Sequence, residues 1–190
     1  MSSFLAIADP QAARRLFLTR SGLVLSGAAV ALLAGRDALA AKSGATPADD
    51  VRILNTALGA ELEAVAAYQL GADSGLLQQP ALKLALQFQG HHKEHAEVLA
   101  KTVRQLGGRA VSAKSRYDFP AHTLKSQADV LRFAAGLEQG AVSAYLGAVP
   151  LFGNRDLSKA AASILGDEAM HWAILRNALG EDPVPVAFVS

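Results

Sequence analysis

The stretch GDEAMHWAIL, Gly166 to Leu175, sets Glu168 and His171 three residues apart in an otherwise apolar helical run. On a helix that spacing puts a carboxylate and an imidazole on one face, where they can reach one ion or two adjacent ions. Three further segments carry matching groups: Glu61 in ELEAVAAYQLGA, Glu138 in EQGAVSAYLGAV, and the histidines of HHKEH, which ends at His95. Inward stripes at helical spacing run Leu54, Leu58, Glu61, Val65, Tyr68 and Leu131, Ala135, Glu138, Val142, Tyr145, so each Glu falls in the middle of an apolar face. The HHKEH segment offers Leu84, Phe88, His91 or His92, His95 and Leu99 in the same way. Burying a bare carboxylate costs several kcal/mol, and three demand protons, cationic side chains or metal as compensation. No Lys or Arg lies near these levels of the stripes. Imidazoles beside carboxylates form a donor set for Fe, Mn or Zn.

The elements that must position these groups are four helices. Helix one starts at TPADD, with Thr46 as cap and Pro47 in the first turn, and runs to about Ala72. Helix two runs from near Pro80 to Gly107-Gly108, and helix three from the Ser126 cap to Pro150. Helix four follows GNRD and ends at Gly180, leaving an irregular tail with Pro183 and Pro185. Short links make two antiparallel hairpins, and the long stretch from Gly107 to Leu124 is able to cross the length of a helix at ~3.3 Å per residue. The hairpins repeat each other: Tyr68 and Tyr145 each follow a Glu by seven residues, and His95 and His171 follow Glu61 and Glu138 at nearly equal distances. A pseudo-two-fold arrangement is expected, with equivalent residues facing each other.

Composition narrows the chemistry. Hydrophobic residues make up 51% of the 190 and aromatics 6%, which favours an all-α fold, in one domain. Cysteine is absent, which excludes thiol catalysis, disulfides and Cys-type zinc sites. Residues 1–40 read as an export signal, with Arg14-Arg15, an apolar run from Ser21 to Gly35 too short to span a bilayer comfortably, and Ala38-Leu39-Ala40 as the cleavage box. Removing them leaves a chain close to neutral, with no basic stripe for nucleic acid. RRLFL resembles the twin-arginine signal, although Ala13 and Thr19 depart from it. That resemblance implies a periplasmic location, the twin-arginine translocase as a partner, and a mature chain, residues 41–190, that begins at Ala41.

The chain from Thr46 to Gly180 resembles the ferritin-like di-iron carboxylate proteins, in which two helices each give a Glu and two give Glu-x-x-His. The resemblance implies a four-helix bundle and a ligand set of Glu61, His95, Glu138, Glu168 and His171, with His92 where the family has Glu. His91, Tyr68 and Tyr145 are expected beside the ligands, the tyrosines bonding carboxylates or relaying an electron. Two irons, reacting with O2 or peroxide, are the implied cofactor and chemistry, with Mn or Zn as alternatives. Three carboxylates fall one short of neutralising two divalent ions. A non-catalytic bundle serving envelope stress protection or partner binding, with one zinc or no metal, is the second reading. Assembly as a homodimer stays open.

Overall fold

The structure is a computed structural model that describes residues 46–189; the export-signal reading lies outside them. The described residues form four α-helices and no strand: α1 (Pro47–Asp73), α2 (Gln79–Gln105), α3 (Gln127–Ala148) and α4 (Arg155–Ala178). Helix starts follow side-chain chemistry. Thr46 and Asp49 close a reciprocal capping box on α1, while Ser126 caps α3 and Asn154 caps α4. Pro150 ends α3 by shifting the chain into a 3-10 turn, Val149–Leu151, in place of a clean break. Gly107 leaves α2 with φ 78°, a left-handed conformation that suits glycine.

Two apolar clusters explain the chain path. One joins Leu54 and Leu58 of α1, Ala96, Leu99 and Val103 of α2, Tyr145 of α3, and Ala161 and Ile164 of α4. The other joins Tyr68, Ala85, Phe88, Leu131, Ala134, Ala135 and Leu175. Each helix therefore passes from one cluster to the other, and its acidic or imidazole residues fall between them. Helices α1 and α4 run one way and α2 and α3 the other, so α2 ends at the cluster opposite the one where α3 begins. Residues 106–126 must return along the full length of the bundle, and this is the ferritin-like connectivity. The return segment is tied down at its start: Asn55 on α1 donates to the Arg109 carbonyl at 3.0 Å and accepts from the Val111 N–H at 2.9 Å. Gly108 passes so close to Val51 that a Cβ there would lie 2.5 Å from the valine methyl.

A buried carboxylate also joins the hairpins. Asp50, in the first turn of α1, accepts from the Gly153 N–H at 2.8 Å and the Asn154 N–H at 3.2 Å, fixing the turn that starts α4. Asp50→Ala leaves two part-buried amides without their partner. We expect it to lower stability by about 2 kcal/mol, read as a lower urea midpoint, with Asp50→Asn milder because it keeps one acceptor.

Candidate metal centre

The helical register brings Glu61, His92, His95, Glu138, Glu168 and His171 into one layer between the apolar clusters. The three carboxylates are 3%, 1% and 0% exposed, and His92 and His171 are 1% exposed. Their donor atoms form two groups of four: Glu61, His92, His95, Glu168, and His92, Glu138, Glu168, His171. His92 and Glu168 belong to both. Glu168 Oε1 lies 3.1 Å from His95 Nδ1, and its Oε2 lies 3.5 Å from His171 Nδ1. His92 sits between the halves, with Nδ1 2.8 Å from Glu61 Oε2 and Nε2 3.3 Å from Glu138 Oε1. Glu94, its neighbour two residues on, points into solvent.

The tyrosines bond crosswise. Tyr145 on α3 donates to Glu61 Oε1 of α1 at 2.5 Å, and Tyr68 on α1 donates to Glu138 Oε1 of α3. Each hydroxyl thus orients the carboxylate of the other hairpin, a crosswise pairing consistent with the facing of equivalent residues that the repeat predicts. Burial raises both phenols well above their ordinary pKa, and the facing carboxylates, Glu138 for Tyr68 and Glu61 for Tyr145, raise them further. The hydroxyls stay protonated and remain donors.

Around this frame, several atoms have no partner. His95 Nδ1, Glu138 Oε2, both oxygens of Glu168 and His171 Nδ1 are buried without a hydrogen bond, although neighbours stand as close as 3.1 Å. They are near each other but off the line that a hydrogen bond needs. Buried orphans of this kind are rare in native proteins and call for an explanation. Donors of carboxylate and imidazole type, drawn from four helices and aimed at one layer, fit a metal ion.

His91 and one residue missed in the sequence, Asp167, stand on the outer side of this layer. Asp167 Oδ2 lies 3.0 Å from His91 Nδ1, 3.2 Å from His171 Nε2 and 3.4 Å from His95 Nε2. Its position four residues before His171 was the available signal, hidden because Glu168 next to it carried the inward stripe. From another side, an apolar cleft between α1 and α3, lined by Ala57, Ala60, Ala64, Ala141, Ala144 and Ala148, reaches Glu61, His92 and Glu138. Its volume of about 50 Å³ holds a few water-sized molecules.

Fold and site together define a four-helix bundle with an inward carboxylate and histidine set. The sequence matches the family described as ferritin-like domain over residues 49–181. The chain belongs to that family. The fold is similar to the crystal structure of a conserved hypothetical protein from Mycobacterium tuberculosis, at 22% identity and a TM-score of 0.65, over 75% of this chain and 99% of that one. No curated protein matches the chain.

Without metal, protons balance the carboxylates. Burial alone would lower the imidazole pKa values, but Glu138 and Glu61 lift His92 to about 11. Glu168 and Glu61 lift His95 to about 9, and Glu138 and Glu168 lift His171 to about 9. Burial pushes Glu138 up, yet His171 and His92 outweigh it and hold the carboxyl well below its ordinary range. The raised imidazoles stabilise the metal-free fold fully below their ordinary value of 6.5, and this contribution is lost as pH rises through 9 to 11. The lowered Glu138 contributes above its ordinary 4.5 and loses that contribution as pH falls. The urea midpoint of the metal-free protein should therefore peak between these two values and decline steadily on the alkaline side. A midpoint that is flat from pH 6.5 to 10 would contradict the ion-paired layer.

Proposed function

We propose that this chain is a metal-dependent ferritin-like protein whose buried layer holds iron for chemistry with O2 or peroxide. The observation that carries the reading is the set of five buried donor atoms without hydrogen bonds, on His95, Glu138, Glu168 and His171. Glu61, His95 and Glu168 would hold an ion in one half, and Glu138, His171 and Glu168 in the other, with His92 between them. Iron bound there would exchange electrons with a small oxidant. The chain's own residues do the rest: Tyr68 and Tyr145 orient carboxylates, the apolar clusters exclude bulk water, and the cleft of small residues admits molecules of O2 or peroxide size.

His92 bears on how many ions the layer takes. A carboxylate can bridge two cations, whereas a neutral imidazole has one lone pair, so His92 serves one half at a time. Two ions with three carboxylates retain one positive charge, and this favours the first ion over the second. A single zinc is the second reading, supported by the same histidine-rich set. The sequence of residues 1–40 supports export by the twin-arginine route; N-terminal sequencing of the exported protein should find Ala41 first, and retention of residues 21–35 would refute it.

Anaerobic Fe²⁺ titration tests the metal reading. Glu61→Ala and Glu138→Ala should lower occupancy to similar extents, because each supplies one half of a two-fold layer. His92→Glu should tighten the second ion by restoring a fourth carboxylate. Wild-type protein that takes up no iron, or takes up only stoichiometric zinc from its native compartment, would overturn iron chemistry here.

A further inference from the structure

On the outer side of the buried layer, three donor atoms converge on one point. His91 Nδ1, Asp167 Oδ2 and His171 Nε2 are 2.9 Å, 3.0 Å and 3.2 Å apart pairwise. The side chains of His91 and Asp167 are 35% and 21% exposed, so the cluster faces outward, while the opposite nitrogen of His171 faces Glu138 and Glu168.

Protons do not satisfy this triangle. If both rings donate to Asp167, two N–H groups point at each other across 2.9 Å. If only one ring carries a proton there, at least one short edge sets lone pair against lone pair. A divalent cation makes all three edges favourable at once. Metal contacts of ~2.0–2.2 Å place ligand atoms ~3 Å apart when they subtend an angle near ~90°, which matches the observed spacing, and the exposed side leaves room for water ligands.

We propose that His91 Nδ1, Asp167 Oδ2 and His171 Nε2 form an outer divalent-cation site that captures an ion and hands it to the buried layer through His171. A neutral imidazole offers one lone pair. While Nε2 holds the outer ion, the ring proton sits on Nδ1. Transfer inward requires the proton to exchange to Nε2, where Asp167 accepts it as a hydrogen bond and Nδ1 is freed toward Glu168. The ring ends with the same number of protons, so its charge is unchanged. His91 belongs to the outer site alone, and its removal leaves every buried donor in place.

Two measurements decide the proposal. The first uses the mature chain with His92→Ala and Glu168→Ala, which removes the two residues common to both buried groups. Equilibrium dialysis against Zn²⁺ should find one ion per chain, and adding His91→Ala should weaken its binding at least roughly tenfold. No zinc in the double variant, or zinc that ignores His91→Ala, overturns the outer site. The second follows the rate of Zn²⁺ uptake by the otherwise wild-type chain. His91→Ala should slow loading of the buried layer and leave its final occupancy unchanged; equal rates overturn the hand-over. Because His91 is partly exposed, this arm stands even where the double variant does not fold. The hand-over rests on the buried layer binding metal, and the outer site does not. Zinc in the double variant with none in the buried layer of wild type would sink the hand-over while the outer site stands; the proposed function is decided separately, by the Fe²⁺ titration.

Discussion

Three carboxylates enclosed between two apolar clusters form the constraint on which the rest of this structure depends. Each would cost several kcal/mol if left bare, so the fold exists only where something positive meets them. Three imidazoles stand within reach, and in the metal-free chain their raised affinity for protons supplies that charge. A cation held here would have to displace those protons, so its affinity would depend on pH, with protons and metal competing for one set of atoms.

The crosswise tyrosines show how the geometry is held while that competition is settled. A phenol kept neutral by burial donates to a carboxylate whatever the neighbouring imidazoles carry. Because Tyr68 serves Glu138 and Tyr145 serves Glu61, each bond spans the two hairpins. Asp50 adds a third link at the end of the bundle where α4 begins. The hairpins are thus registered by polar contacts at defined depths, while the apolar clusters on either side supply the non-directional burial that holds them together.

Helix number, hairpin pairing and the long return were legible in the sequence because caps, glycines and prolines punctuate it, and the stripes through Glu61 and Glu138 repeat. Pro150 was read as the stop of helix three, and α3 does end there at Ala148; the detail the sequence did not carry is the 3-10 turn, Val149–Leu151, that follows. Five of the inward residues, Glu61, His95, Glu138, Glu168 and His171, were legible because polar groups interrupt apolar faces; that pattern left His91 or His92 open, and only the resemblance to the ferritin-like proteins singled out His92. Asp167 and Asp50 were not legible. Asp167 points about 100° from Glu168 around the helix, so it joins no inward stripe; it matters through Nδ1 of His91 and Nε2 of His95 and His171, which come together around it only where α2 packs against α4. Asp50 stands in the first turn of α1, and its role arises from a turn about a hundred residues away in sequence. Side-chain contacts across the bundle are tertiary facts that helical periodicity does not encode.

His92 marks where this chain parts from the Glu-x-x-His pattern that it otherwise follows, and the structure makes the departure central. Its ring occupies the middle of the layer, one nitrogen toward Glu61 and the other toward Glu138. A carboxylate there would join two ions and cancel one charge; an imidazole joins the halves through a hydrogen bond on one side and a lone pair on the other. Protonated on both nitrogens, the ring is a cation that neutralises carboxylates and competes with metal. On the metal reading proposed above, losing one proton would make it a donor to one carboxylate and leave a lone pair toward the other half, so the two halves of a nearly symmetric layer would become unequal.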